Sequence, residues 1–265
     1  MVKLVAVDID GTFMRDNYTY DVERFKKILA RMNAVGCNFV VASGNQYYQL
    51  RGIFQSYGKN ISYVSDNGAY VEACGELIFK ADIPKETVAS VTDFCRQYPQ
   101  ISNFLCGVKS AYCEKNSVSD DIFNFMKIYM PRMEWVDDFK KVDDQFLKFA
   151  LLVPEGETFE YEKLLRENLQ GKLIPTTSGH GSIDLIISGC HKASGIKRLV
   201  EKFKISPAEC AAFGDSGNDI EMLKYCGESY AMGNAAQNVK DVAKYVCLSN
   251  NEDGVLVALD KIFPQ

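Results

Sequence analysis

The chain has 265 residues, of which 47% are hydrophobic and 25% charged, and its formal net charge at pH 7 is -5. This composition is typical of a soluble globular protein with one large domain or two unequal ones. The negative charge disfavours a nucleic acid as the main partner. No apolar stretch approaches the ~20 residues that a membrane-spanning helix needs.

The N-terminal segment and the cysteines indicate the cellular compartment in which we expect the protein. Only one lysine and a very short apolar run precede Asp8, so we predict no signal peptide. The nine cysteines are an odd number and form no CxxC pair, which favours reduced thiols over a disulfide scaffold or a zinc site. We therefore expect a cytoplasmic protein without a membrane partner.

The first predicted strand, Leu4–Val7, stops at two acids. Asp8 and Asp10 follow it, and Gly11 and Thr12 come next. Unpaired buried carboxylates are costly, so two of them at the end of a core strand indicate a function. Strand alternation would place both side chains on the same side of the chain. The alternative is an ordinary acidic turn, since Asp-Gly pairs are common in turns.

Strands and helices alternate after this turn. The apolar pattern predicts helices over 20–35 and 46–57 and strands over 38–42 and 61–64. This order predicts a parallel sheet in which the carboxyl ends of the strands meet at one edge, where ligands bind. Ser43 and Gly44 end the second strand. Asn67-Gly68 follows the third, as a tight turn or as a loop that touches the substrate.

The middle of the chain has a different pattern, in which helices mix with neighbouring strands and hairpins. We predict an α+β insertion over 84–188, with the flanking segments 1–83 and 189–265 forming one parallel-sheet domain. Within the insertion, His180 is either an ordinary loop histidine or a side chain that projects toward the substrate. From Lys192 onward the earlier alternation returns, with predicted strands over 210–213 and 229–232.

Polar segments stand at strand or helix ends in the two flanking parts. In chain order they are Asp8-x-Asp10-Gly-Thr12, Ser43-Gly44, Lys192 and Gly214-Asp215-x-x-Asn218-Asp219. This series resembles the haloacid dehalogenase-like phosphohydrolases, and the position of the insertion resembles the Cof-type branch with its bacterial sugar phosphatases. The resemblance implies an α/β fold, with a Rossmann-like three-layer parallel-sheet core and an inserted α+β cap that selects the substrate.

The resemblance also implies a role for each residue. Asp8 would be the nucleophile that forms an aspartyl-phosphate, and Asp10 would be the general acid and base. Carboxylates gathered at one edge require a cation, and Mg²⁺ suits oxygen ligands. Its implied ligands are the Asp8 carboxylate, the Asp10 main-chain carbonyl and Asp215, with Asp219 outside this set. The implied phosphate- or substrate-binding groups are Thr12, Ser43, Gly44, Lys192 and Asn218.

These expectations define a Mg²⁺-dependent phosphatase that acts on small phosphomonoesters, with sugar phosphates as the first candidates. A sugar phosphomutase and a non-catalytic binding module on the same fold are the alternatives. We expect a small-molecule phosphomonoester as the partner, with no nucleic acid and no membrane. The sequence leaves open the choice among sugar, flavin and nucleotide phosphates, the cap residues that set specificity, and the oligomeric state.

Overall fold

The computed structural model describes residues 1–169, 171–179 and 181–264, and it divides into two compact units. The first unit comprises Met1–Ser43, Phe54–Phe79 and the chain from His191 onward, and the second comprises Gly44–Ile53 and Lys80–Cys190. The chain therefore leaves the first unit, builds most of the second and returns. The predicted domain limits at 83/84 and 188/189 remain predictions.

Fourteen strands and nine α-helices are found in the described residues. The strands are β1 (Leu4–Val7), β2 (Asn38–Ala42), β3 (Ile61–Ser65), β4 (Tyr70–Ala73), β5 (Glu76–Lys80), β6 (Ser102–Gly107), β7 (Ala111–Glu114), β8 (Met133–Val136), β9 (Phe146–Leu152), β10 (Ile174–Gly179), β11 (Ser182–Ile186), β12 (Cys210–Gly214), β13 (Glu228–Ala231) and β14 (Tyr245–Val246). The helices are α1 (Val22–Ala34), α2 (Tyr47–Phe54), α3 (Lys85–Cys95), α4 (Asp120–Met126), α5 (Thr158–Asn168), α6 (Lys192–Phe203), α7 (Ile220–Tyr225), α8 (Gln237–Lys240) and α9 (Gly254–Ile262).

The first unit is built on an eight-stranded sheet with the order β14-β13-β12-β1-β2-β3-β4-β5. Neighbouring strands from β14 to β3 are parallel, and β4 is antiparallel to β3. In the central register, Val7 pairs with Phe213 of β12 and with Val41 of β2. The carboxyl ends of these three strands are therefore level, which confirms the predicted α/β class and brings the residues after each strand to one edge.

Aromatic packing fixes the chain that follows β1 against the first helix. Phe13 lies 5.0 Å from Phe25 and 5.8 Å from Phe39, measured between ring centroids, and both pairs meet edge to face. The α1 residues Phe25, Ile28, Leu29 and Met32 are buried, as a helical period of 3.6 requires for one apolar face. The turn after Asp8 is therefore anchored in the core of the first unit.

The second unit contains a six-stranded sheet with the order β10-β11-β9-β6-β7-β8, antiparallel except for the pair β7 and β8. Alternate residues of a strand belong to different apolar clusters. Leu105 and Phe149 pack in the cluster that includes residues of α3 and α5, whereas Phe104 and Ala150 pack in the cluster that includes Phe123 of α4. Strand alternation thus gives both faces of this sheet an apolar cover.

The structure corrects several sequence expectations at the level of elements. The helix predicted over 46–57 ends as an α-helix at Phe54, and residues Gln55–Asn60 form tighter turns. Strands β8 and β14 and helix α9 were not predicted.

All nine cysteines, each within the described ranges, are thiols and not disulfide partners. His180, for which two roles were open, lies outside the described residues.

Candidate active site

Asp8 follows β1 at the centre of the first sheet, and the chain turns sharply after it. Within the turn Ile9–Phe13, the Phe13 N–H donates back to the Asp8 carbonyl at 3.2 Å. Gly11 adopts φ +71°, and a Cβ at this position would lie 2.5 Å from Oδ2 of Asp215. Glycine is therefore required here both by the backbone conformation and by the close approach of a carboxylate.

The two acids of the turn have different surroundings. Asp8 is only 5% exposed, whereas Asp10 is exposed. The strand-alternation argument for the two side chains does not apply, because β1 ends at Val7 and the chain bends before Asp10. The negative charge of Asp10 still acts on the cluster, since it contributes to raising the pKa of Asp215. One carboxylate is thus buried and the other open to solvent.

Lys192 is the cation of the site. It is the first residue of α6, and its side chain is 1% exposed. Its Nζ lies 2.6 Å from Oδ1 of Asp8 and 2.6 Å from Oδ1 of Asp219, and it donates a longer bond of 3.4 Å to Oδ1 of Asn218. These contacts bring three of the sequence-predicted residues to one nitrogen atom.

The segment after β12 supplies the other carboxylates. Oδ2 of Asp219 accepts the main-chain N–H groups of Asp215 and Ser216 at 3.0 and 3.1 Å. Oδ1 of Asp215 accepts the Thr12 hydroxyl at 2.8 Å. Asp219 therefore holds Lys192 with one oxygen and its own loop with the other. Thr12, predicted to bind phosphate or substrate, contacts the Asp215 carboxylate.

Burial and charge shift the ionisation of this cluster. Burial, followed by the charges of Asp219 and Asp215, raises the pKa of Asp8 well above its ordinary value, and the charge of Lys192 opposes that rise. Burial and the charge of Asp219 raise the pKa of Asp215 to about 6. Burial alone would lower the pKa of Lys192, but Asp219 and Asp8 outweigh burial and raise it. The Lys192 ammonium is therefore charged, but this single positive charge does not neutralise the carboxylates of Asp8, Asp215 and Asp219.

Ser43 and Gly44 follow β2 and belong to different units of the structure. The Ser43 N–H donates to the Val64 carbonyl at 2.9 Å, and its own carbonyl accepts the Asn67 N–H at 3.1 Å. Its side chain is buried in the first unit. Gly44 belongs to the second unit, where its carbonyl accepts Nζ of Lys148 at 2.8 Å. Lys148 also pairs with Asp184 at 2.8 Å.

Several supporting residues were not predicted from the sequence. The Asn234 side chain donates to the Gly11 carbonyl at 2.8 Å, and the Asn250 side chain donates to the Met14 carbonyl at 3.0 Å. Both amides steady the turn that carries Asp8. Asn234 follows β13, and its position after a strand could have identified it from the sequence as a candidate site residue. Asn250 is the first residue of a short 3₁₀ helix after β14, which the sequence analysis did not predict.

The residues present fit a hard divalent cation. Carboxylate oxygens of Asp8, Asp215 and Asp219 lie within 4.8 Å of one another. All three are oxygen donors of the type that Mg²⁺ prefers. Both oxygens of Asp219 already accept protein hydrogen bonds, so Asp8 and Asp215 are the better ligands. The raised pKa values of these two acids indicate that the cluster favours an added positive charge.

Comparisons with known proteins agree with this geometry. The family model described as haloacid dehalogenase-like hydrolase matches residues 5–259. The 5-amino-6-(5-phospho-D-ribitylamino)uracil phosphatase YbjI of Escherichia coli is 41% identical over 261 residues, covering 98% of this chain and 96% of the relative. A crystal structure of SMU.1108c from Streptococcus mutans is 36% identical, covers 100% of both chains and has a TM-score of 0.94. A haloacid dehalogenase-like hydrolase from Bacteroides thetaiotaomicron is 27% identical, with a TM-score of 0.84 over 99% of this chain and 100% of the other.

Proposed function

Because the chain belongs to the haloacid dehalogenase-like hydrolases, we propose that it is a Mg²⁺-dependent phosphatase acting on small phosphomonoesters, with Asp8 as the nucleophile. The observation that carries this proposal is the buried contact between Lys192 and Asp8. The ammonium favours the charged carboxylate that must attack, and it supplies a cation for the incoming phosphoryl oxygens.

The reaction would proceed in two steps on the side chains of the turn. An Asp8 oxygen attacks phosphorus and forms an aspartyl-phosphate, while the bond from phosphorus to the substrate oxygen breaks and Asp10 donates a proton to that oxygen. In the second step, Asp10 takes a proton from a water molecule, which attacks phosphorus and releases inorganic phosphate and Asp8. Exposure of Asp10 suits a group that exchanges protons with substrate and water.

The remaining site residues would hold the charged groups in place. Asp8, Asp215 and the Asp10 main-chain carbonyl would hold Mg²⁺, which when bound supplies positive charge against the carboxylates and the phosphoryl group. Lys192 and the Ser43 hydroxyl would bind the phosphoryl oxygens. Thr12 fixes Asp215 through the hydroxyl contact described above.

A phosphorylated sugar or sugar alcohol is the substrate class we propose. The relative at 41% identity is named for a substrate with a 5-phospho-D-ribityl group, and this favours a phosphate at the end of a polyol chain. The first substrates to test are therefore 5-amino-6-(5-phospho-D-ribitylamino)uracil and pentose and hexose phosphates. Flavin mononucleotide and nucleoside monophosphates complete the panel.

The test is phosphate release by the purified chain with Mg²⁺. We expect turnover of at least one polyol phosphate and none by Asp8→Asn, which should keep the wild-type circular dichroism spectrum and melting temperature within a few degrees. Activity retained in Asp8→Asn would contradict the assignment of the nucleophile. A sugar bisphosphate converted to an isomer without free phosphate would instead indicate a mutase. No release from any substrate would favour a binding module.

A further inference from the structure

The turn that follows β3 has an unusual backbone. Asp66, Asn67 and Gly68 are consecutive and have φ values of +50°, +53° and +83°. Side chains other than glycine rarely adopt this left-handed region, and two neighbouring residues there are less common still. Asp66 is 1% exposed and Asn67 is 2% exposed. A strained turn that is kept in a buried place requires a structural or functional reason.

One side of the turn holds Ser43. The Asn67 N–H donates to the Ser43 carbonyl at 3.1 Å, and the Ser43 N–H donates to the carbonyl of Val64 in β3 at 2.9 Å. Both main-chain polar groups of Ser43 are thus fixed by β3 and the turn. The left-handed conformation at Asp66 and Asn67 directs the Asn67 N–H back toward β2.

The other side of the turn lies against the start of α6. A Cβ on Gly68 would lie 2.4 Å from the carbonyl oxygen of His191, the residue before Lys192. His191 caps α6, and its Nδ1 accepts the Ser194 N–H at 3.3 Å. One turn further, a Cβ on Gly195 would lie 2.3 Å from a methyl group of Val64. Helix α6 therefore packs closely on β3 and on the turn, and its first residue is Lys192.

We propose that the turn Asp66–Gly68 is a positioning device that sets the spacing between Ser43 and Lys192, the two side chains that bind the phosphoryl group. This inference rests on the proposed function. The turn acts through backbone contacts on both sides, so its residues position the binding groups without touching the reacting atoms. The backbone of Asn67-Gly68 is that of a tight turn, one of the two interpretations that the sequence left open.

The first test is Gly68→Ala, with Gly36→Ala as its matched control. Both glycines have positive φ, +83° and +71°, so alanine is strained at either position. Only Gly68 faces a backbone atom, because a Cβ on Gly36 meets nothing within 4 Å. We expect Gly68→Ala to lower kcat/KM at least tenfold and to raise the inhibition constant of inorganic phosphate by a similar factor, while Gly36→Ala changes both less than twofold.

A second pair keeps the proposal testable if Gly68→Ala does not fold. Asn67→Val nearly keeps the side-chain volume but strongly resists φ +53°, whereas Asn67→Gly loses volume and accepts that conformation. A positioning turn predicts a kcat/KM at least tenfold higher for Asn67→Gly than for Asn67→Val. If the side chain only fills space, the valine variant would be the more active of the two.

The outcomes separate this inference from the proposed function. Equal kcat/KM in Gly68→Ala and Gly36→Ala, or a valine variant as active as the glycine variant, would overturn the positioning role. A wild-type chain that binds inorganic phosphate in calorimetry but releases none from substrates contradicts the proposed function alone. In that case the same variants are compared by phosphate affinity. A wild-type chain that does neither contradicts both.

Discussion

Asp8 and Asp10 occupy the same turn, but their surroundings differ in a way that suits two roles. Asp8 is buried and contacts an ammonium at 2.6 Å, whereas Asp10 is exposed. A nucleophile must stay charged, and a general acid must gain and lose a proton at the working pH. The ammonium contact favours the charged form of Asp8 that must attack, against the effect of burial, and the exposure of Asp10 lets it exchange protons with substrate and water.

Replacing Asp10 with asparagine tests the second role. We expect kcat/KM for a sugar phosphate to fall by roughly 10²- to 10⁴-fold, because an alkoxide is a poor leaving group without a proton. For an aryl phosphate the loss should be much smaller, since a phenolate leaves without help. Steady-state rates on both substrates check this, with Asp121→Asn, an exposed acid of α4, as the control. Equal losses on the two substrates would contradict proton transfer by Asp10.

The sequence was sufficient to predict that Asp8, Lys192, Asp215 and Asp219 lie together, but not how they bond. Asp8, Ser43 and Asp215 each follow a predicted strand, and parallel strands bring such residues to one edge. The bond from Lys192 to Asp219 joins side chains 27 residues apart, and no local pattern specifies it. Strand β1 ends at Val7 as predicted, but the exposure of Asp10 depends on the backbone conformation of the turn Ile9–Phe13, which the strand pattern does not specify.

At the scale of elements, long amphipathic segments were predictable and short or wholly apolar ones were not. Helix α1 shows a clear apolar period and was predicted within two residues at each end. Helix α9 is buried at Val255, Leu256, Ala258 and Leu259, and its first six residues are all apolar, so they show no helical period in the sequence. Strand β8 has only four residues, Met133–Val136, and depends on pairing with β7.

One partly exposed carboxylate, Glu209, connects the starts of β1 and β12. Glu209 precedes β12 and accepts Nζ of Lys3 at 2.7 Å and the Ser206 N–H at 2.9 Å. The Lys3 N–H also donates to the Glu209 carbonyl at 2.8 Å, just before β1. The Lys3 hydrogen bond and then those of Ser206 lower the pKa of Glu209 from its ordinary value of 4.5 to about 2.

This lowered pKa has a definite sign for stability. A carboxyl with a depressed folded-state pKa stabilises the fold above pH 4.5, and the contribution is lost as the pH falls toward 2. We therefore expect Glu209→Gln to lower the free energy of unfolding modestly at pH 7. The difference between variant and wild type should shrink progressively below pH 4.5. Urea titrations at several pH values measure it, and a difference that grows as the pH falls would contradict the linkage.

At the scale of the whole molecule, the active-site carboxylates belong to segments far apart in the chain. Asp8 lies near the N-terminus, while Asp215 and Asp219 follow the insertion, so the cluster forms only when the first unit is folded. In the described residues, no helix has the length and apolarity to cross a membrane. A ligand that binds this cluster binds the folded chain alone, and it must raise the stability of the fold by mass action.

Magnesium should therefore raise the melting temperature. At a Mg²⁺ concentration 100 times the dissociation constant, the folded state gains ~2.7 kcal/mol, which corresponds to a shift on the order of 5 °C for a chain of this size. We expect this shift in the wild type and in Asp121→Asn but not in Asp215→Asn, which loses a ligand. Excess EDTA should abolish turnover, and added Mg²⁺ should restore it.

The shift in melting temperature caused by Mg²⁺ should depend on pH, because protons and Mg²⁺ compete for Asp215. Burial and Asp219 raise the pKa of Asp215 from 3.8 to about 6. Its protonated form thus stabilises the metal-free fold at low pH, and that contribution is lost as the pH rises through 6. Above pH 6, Asp215 has lost its proton, and Mg²⁺ can supply positive charge in its place. The gain in melting temperature on adding Mg²⁺ should therefore be larger at pH 7.5 than at pH 5. A gain that is equal at the two pH values, or equal in wild type and Asp215→Asn at matched ionic strength, would place the ion elsewhere on the chain.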